Sequence, residues 1–185
     1  MTRGNPALAA DPKSLAGKLL RIDTTGKPAK GNPDPSTAVI ASGFHAPGGI
    51  CIGADARPWV TDRGPQRDAI YHVERASRSA TRVDVAGQTS VAGCVVTPAV
   101  LMVAASTAGN MQNLPLNPEG VITAKPTVSL QDKEGFGRLG GMAVLNPNYA
   151  LAGTVNKSGG TPVSSDDRVV LISTTAANAG TGGKD

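Results

Sequence analysis

The densest grouping of side chains with chemical potential is Asp62-Arg63-Gly64-Pro65-Gln66-Arg67-Asp68. Gly and Pro turn a backbone so that carbonyl oxygens point outward, and two carboxylates flank them. That oxygen-rich composition suits calcium. A tight turn between strands with solvated charges accounts for the same residues.

Other candidate motifs are weaker. Gly135-Phe136-Gly137-Arg138-Leu139-Gly140 satisfies G-x-G-x-x-G, but no strand precedes it and Pro147 cuts off any helix after it. No helix N-terminus would then meet a pyrophosphate, so the match is read as chance in a glycine-rich chain. His45 and His72 have no partner at metal-ligand spacing, and His72 is read as decorating a strand. Cys51 and Cys94 lack zinc spacing; a single bridge between neighbouring strand units and two buried free thiols both fit them. Asn156-Lys157-Ser158 is a glycosylation sequon, and no Ser-His-Asp arrangement can be placed.

The net charge of +4 comes from cations scattered singly among Asp and Glu, which argues against a nucleic-acid surface. From Gly87 to Gln112 there is no charged residue. Gly93, Thr97, Pro98 and Ser106 interrupt this run before the ~20 apolar residues of a membrane helix accumulate, so buried strands are expected. Met1 leads directly into TRGNPALAADP, which lacks the charged and apolar regions of a signal peptide.

The elements that must position these residues are strands. With 23 Gly and 14 Pro the chain has little room for long helices, and an all-β fold is expected. Residues 1–10 read as an irregular lead-in, and Asp11-Pro12 as the cap of a helical turn through Leu15. Leu19 to Ile22 is a short strand, and Thr24 to Ser36 is surface loop. Ile50-Cys51-Ile52, Trp59-Val60-Thr61 and Ala69 to Val73 form a meander, with an edge strand around Thr81-Arg82-Val83. Trp59, Phe44, Phe136, Tyr71 and Tyr149 are the few large pieces available to the core.

The pattern repeats. Gly49-Ile50-Cys51-Ile52, Gly93-Cys94-Val95-Val96 and Gly141-Met142-Ala143-Val144 each open a unit, 44 and then 48 residues apart. Each unit continues through two further extended segments: Trp59 to Asp62 and Ile70 to Val73, Met102 to Ala104 and Met111 to Leu116, Ala150 to Gly153 and Val169 to Ile172. Four short strands per ~40–50 residues is the signature of a β-propeller. Blade-like units at about 37–86, 87–130 and 131–173 make about three four-stranded blades, with Leu19 to Ile22 left over from a preceding one. Residues 1–173 thus read as a partial propeller and residues 174–185 as a disordered tail.

The stretches NPALAADPKSLAGKLLRIDTTGKPAKGNP and GFHAPGGICIGADARPWVTDRGP resemble the glucose/sorbosone dehydrogenase family, six-bladed propellers that use pyrroloquinoline quinone (PQQ) and calcium to oxidise sugars. The resemblance runs from Asn5 to Ile172, is strongest to Asp68, and corresponds to the later half of that fold. It implies that Gly64 and Pro65 offer backbone oxygens to calcium. It also places His45, Asn110 and Arg138 at cofactor-binding positions.

At those positions the chain departs from the family. His45 stands for an arginine, Ala46 for an asparagine, Gly48 for a glutamine, Asn110 for a lysine, and Gly140 for the second arginine of a pair whose first is Arg138. The histidine that acts as catalytic base in the family falls upstream of Met1. The resemblance therefore implies the C-terminal half of a sugar dehydrogenase, inactive on its own. Its partners would be a sugar substrate and the missing N-terminal half, and its full-length form would be extracellular or in the cell envelope. The alternative is a non-catalytic extracellular propeller, a binding or scaffold protein that has lost the quinone site.

Overall fold

The computed structural model describes residues 5–74, 80–85, 89–131 and 135–175. Among these described residues the fold is all-β apart from one short helix, α1 (Pro6–Ala10). Their strands form four antiparallel sheets. A two-stranded sheet pairs β1 (Lys18–Leu20) with β2 (Val39–Ser42). The first four-stranded sheet contains β3 (Pro47–Ile52), β4 (Pro58–Asp62), β5 (Ala69–Val73) and β6 (Ala80–Asp84) in that order. The second contains β7 (Val91–Val96), β8 (Val100–Ala105), β9 (Asn110–Pro115) and β10 (Thr127–Ser129). In the last, β11 (Leu139–Asn146), β12 (Tyr149–Thr154) and β13 (Val169–Ser173) follow one another. Consecutive meanders stacked face to face make a partial β-propeller, as the repeat implies.

Strand alternation decides which side chains reach which neighbouring sheet. The pairs Ile50–Val60 and Val60–Tyr71 place these three side chains on one face of the first sheet. The pairs Cys51–Trp59 and Trp59–His72 place the other three on the opposite face. Val60 and Val73 meet Leu19, Ile40, Ala41 and Phe44 in the core under β1 and β2. On the far side Trp59 and Ile70 pack with Val91, Cys94, Leu101 and Leu114 between the first and second sheets. Met102, Met111, Leu139, Ala152 and Ile172 fill the space between the second and third. Each fully buried large side chain contributes about 1.5–3 kcal/mol, so these inter-sheet layers hold the stack together.

The first strands of the three meanders adjoin, and glycine makes that closeness sterically feasible. A Cβ on Gly48 would stand 2.5 Å from the Val91 carbonyl oxygen, one on Gly49 2.6 Å from that of Ala92, and one on Gly93 2.6 Å from that of Gly140. Contacts that ascend together along β3 and β7 mean that the two strands run in the same direction. All three meanders therefore begin at one end, the leading rim, which carries the residues before β3, β7 and β11 and the β4–β5 and β8–β9 loops. The β3–β4 turn lies at the other end, the trailing rim.

Several sequence expectations need correction. The helix Pro6–Ala10 lies in the stretch read as an irregular lead-in: the Asn5 side chain accepts from the Ala7 and Leu8 amides, and Asp11 ends the helix; the expected turn at Asp11-Pro12 follows it, with the Asp11 side chain accepting the Lys13 amide at 2.8 Å and its carbonyl the Ser14 amide at 3.1 Å. Val39 belongs to β2, which pairs with β1, and not to the sheet that follows. Tyr149 is exposed and not a core residue, because it lies on the uncovered face of the last sheet. The tail was expected to start at Thr174, yet this residue is buried, with its amide on the Asn148 carbonyl and its hydroxyl on that of Pro147. Residues 176–185 of that tail lie outside the described residues. β10 was not anticipated.

Gly87 to Gln112 contributes strands β7 and β8, and among the described residues no helix is long and apolar enough to cross a membrane. Gly135 to Gly140 leads into strand β11 and not into a helix, which removes the geometry of a dinucleotide loop.

Candidate functional site

The leading rim is built around two buried carboxylates. Asp62 ends β4 opposite both Pro47 and Ala69, where the sheet holds its side chain away from water. Its two oxygens accept the His45 amide at 2.9 Å and the Ala46 amide at 2.6 Å. The Arg63 amide returns to the Ala46 carbonyl, and His45 Nδ1 lies 2.9 Å from the Arg63 carbonyl. A carbonyl only accepts, so Nδ1 carries the proton in this bond. Asp68, six residues on, clasps the next sheet: one oxygen accepts from the Thr89 amide at 2.8 Å and the Val91 amide at 3.2 Å.

Between these anchors Gly64, Pro65, Gln66 and Arg67 form the turn into β5. Gly64 is required there because a Cβ would occupy the place of the Arg67 carbonyl oxygen. Pro65, Gln66 and Arg67 are exposed. A groove of about 220 Å³ opens beside the turn, lined by His45, Gly64, Pro65, Arg67, Tyr71 and Arg82 among others. Tyr71 and Arg82 are register neighbours on β5 and β6, and Tyr71 packs edge-on against Phe44 at 5.2 Å. Strand alternation holds the signal that places those two side chains on one face, but neither stood out as a site residue in the sequence.

The structure thus unites His45, Gly64 and Pro65 in one groove. Asn110 opens β9 on the same rim and accepts from the Gln112 side chain at 3.1 Å. Arg138 precedes β11; its amide donates to Asn156 Oδ1 at 2.7 Å, its Nη1 donates to the Gly159 carbonyl at 2.7 Å, and its Nε is buried without a partner. A Cβ on Gly109 would lie 3.7 Å from Gly137, so the segments carrying Asn110 and Arg138 touch. Neither residue lines the groove.

These contacts define what the rim offers a cofactor. The carboxylates of Asp62 and Asp68 already serve backbone amides, and no group of three His, Cys, Asp or Glu side chains suited to a metal exists among the described residues. A calcium ion would have to draw on backbone oxygens such as those of Gly64 and Pro65, completed by ligands from elsewhere. For a polyanionic cofactor, Arg138 is the one fixed cation among the three sequence candidates, and its guanidinium turns toward its own sheet's 156–160 loop. The sequon asparagine Asn156 is buried and fixed by Phe136, Arg138 and Asp166, so it is closed to glycosylation.

At mid-height, Cys51 and Cys94 form a disulfide with a Cα–Cα distance of 5.7 Å, joining β3 to β7. On the trailing rim, sequence reading missed a charged cluster. Arg57 bonds Asp55 at 2.5 Å, the Glu74 carboxylate, and the Glu119 carbonyl at 2.8 Å. The Asp55 and Glu74 hydrogen bonds raise the Arg57 pKa. Burial pushes Asp55 up, but the Arg57 amide and guanidinium outweigh it and the net shift is downward. His72 stacks on Trp59 with ring centroids 4.0 Å apart. Burial first, and then the Arg57 charge, lower its pKa against the pull of Asp55 and Glu74.

No family model and no curated protein matches the chain. Its fold does match solved structures. The PQQ-bound form of an aldose sugar dehydrogenase from Streptomyces coelicolor superposes with a TM-score of 0.78 at 22% identity, over 91% of this chain and 55% of that one. A glucose dehydrogenase-like oxidoreductase from Thermus thermophilus superposes with a TM-score of 0.75 at 24% identity, over 90% of this chain and 57% of that one. The chain therefore carries the fold of the sugar dehydrogenase propellers and spans a little over half their length.

Proposed function

We propose that these residues are the later half of a quinone-dependent oxidoreductase acting on sugar hydroxyls, and that they do not turn over sugar alone. The observation that carries this reading is the match over nine-tenths of the chain to a PQQ-bound aldose sugar dehydrogenase. The leading rim of this fold gathers His45, Gly64 and Pro65 at one groove. Bound PQQ would supply a two-electron acceptor for the sugar. Gly64 and Pro65 would hold calcium through backbone oxygens, and Arg138, if swung from Gly159, would meet a cofactor carboxylate. The base that removes the hydroxyl proton must lie within hydrogen-bond reach of it and would come from outside these residues. The Cys51–Cys94 disulfide supports an oxidising compartment, outside the cytoplasm or in the envelope.

A second reading is a non-catalytic binding or scaffold propeller. It is favoured by the inward commitment of the rim: Asp62 and Asp68 serve amides, His45 Nδ1 serves Arg63, and the Arg138 guanidinium serves Gly159. Titration with PQQ and calcium, followed by absorbance and by dye reduction with aldoses, separates the two. A protein extended upstream to the relatives' length is expected to bind quinone saturably and reduce dye, and the 185-residue chain to reduce none. Absence of saturable binding by the extended protein sinks the quinone reading and leaves the scaffold.

A further inference from the structure

The groove beside the Gly64–Pro65 turn is lined by two arginines and, among the described residues, by a single carboxylate. That carboxylate is Asp62, and its two oxygens already accept the His45 and Ala46 amides. Arg67 belongs to the turn and Arg82 to β6, and both residues are exposed. Arg67 pairs with no acid among the described residues, whereas Arg57 on the trailing rim holds both Asp55 and Glu74. A guanidinium fork without a carboxylate, in a groove whose one acid is already engaged, selects an anion. Shape narrows the ligand further. The volume of about 220 Å³ lies below the ~300–1,000 Å³ of sites for drug-sized molecules, which suits a ligand the size of one sugar ring. Tyr71, in register with Arg82 and held edge-on against Phe44, supplies an aromatic wall. The groove also runs away from the cofactor positions. It extends from the turn after β4 to β6, two strand spacings or about 10 Å outward, and neither Asn110 nor Arg138 lines it.

We infer that this groove binds a sugar carrying an anionic group, a carboxylate or a phosphate, with Arg67 and Arg82 on the anion and Tyr71 against the ring. That the ligand is a sugar rests on the proposed function; that it is anionic rests on the groove alone. A neutral aldose offers the two guanidinium groups no charge to bond, so the groove discriminates a uronate or a sugar phosphate from the parent sugar.

Isothermal titration of the 185-residue chain at low ionic strength, without quinone or calcium, tests this with glucuronate, a hexose phosphate, glucose, and free phosphate and acetate. One of the two anionic sugars is expected to bind about tenfold more tightly than glucose, what a single charge-assisted bond provides, and the tighter of the pair identifies the anion. Arg67→Gln and Arg82→Gln should each weaken that binding about tenfold and, at exposed positions, leave the melting temperature unchanged. Arg63→Gln, at an exposed rim arginine outside the groove, should leave the binding as it is. Glucose bound as tightly as the anionic sugars overturns the inference and leaves the sugar reading standing. Phosphate or acetate bound as tightly as its sugar counterpart overturns it as well, because the groove would then read the anion without the sugar. Equal weakening by Arg63→Gln does the same, since the attraction would belong to the whole rim. So does the absence of any binding, because every residue lining the groove belongs to this chain. The quinone reading stands or falls separately, on the cofactor titration of the extended protein.

Discussion

The two rims use charge in opposite ways. On the leading rim, carboxylates bond backbone amides far away in sequence: Asp62 holds residues 45 and 46, and Asp68 holds residues 89 and 91. On the trailing rim, charged side chains mainly bond one another, Arg57 linking Asp55 and Glu74, with backbone contacts at the Glu119 carbonyl and from the Arg57 amide to Asp55. A buried acceptor with two amide donors is costly to remove, because the donors are left without water. A network of partly exposed side chains loses little, since solvent replaces each partner. The leading rim is therefore a rigid frame around an exposed turn, which suits a binding site, and the trailing rim is a compliant fastening.

Four measurements would break or sharpen this contrast. The largest effect should come from the tie midway between the rims: Cys51→Ser opens a loop spanning a sequence separation of 43 and is expected to lower stability by about 4 kcal/mol in urea unfolding. Next, Asp62→Ala should cost about 3 kcal/mol by the same measurement, because it strands two amides. Arg57→Ala should cost about 1 kcal/mol or less; a loss equal to that of Asp62→Ala would erase the distinction between the rims. The smallest effect is one of pH. The folded His72 pKa lies below the unfolded value near 6.5, so the unfolded chain binds the proton first. Stability from this residue is fully present above about pH 6.5 and declines as pH falls toward the lowered value. His72→Phe retains a ring on Trp59 and should remove that part of the acid slope in a melting-temperature series.

Much of the architecture was legible because propeller strands repeat locally. The Gly49, Gly93 and Gly141 units located β3, β7 and β11, and alternation located their partners. β10 escaped because three residues are too few to show a period. The Asp11-Pro12 turn was legible, whereas the helix Pro6–Ala10 was missed although Asn5-Pro6 carries the same capping signal. At the site, Gly64 and Pro65 stood out as a turn, but the same loop's carboxylates looked like metal ligands. Their amide partners lie 17, 16, 21 and 23 residues away, beyond the reach of a local pattern.

By itself the sequence determined the all-β class and the repeat of meanders, since these depend on side-chain period and local composition. Tertiary structure decided which groups meet: the Cys51–Cys94 bond, the clasp of Asp62 on residues 45 and 46, and the His72–Trp59 stack. Each of these requires two segments at a set distance and orientation. Residue order limits that geometry, and only the packing of one sheet on the next completes it.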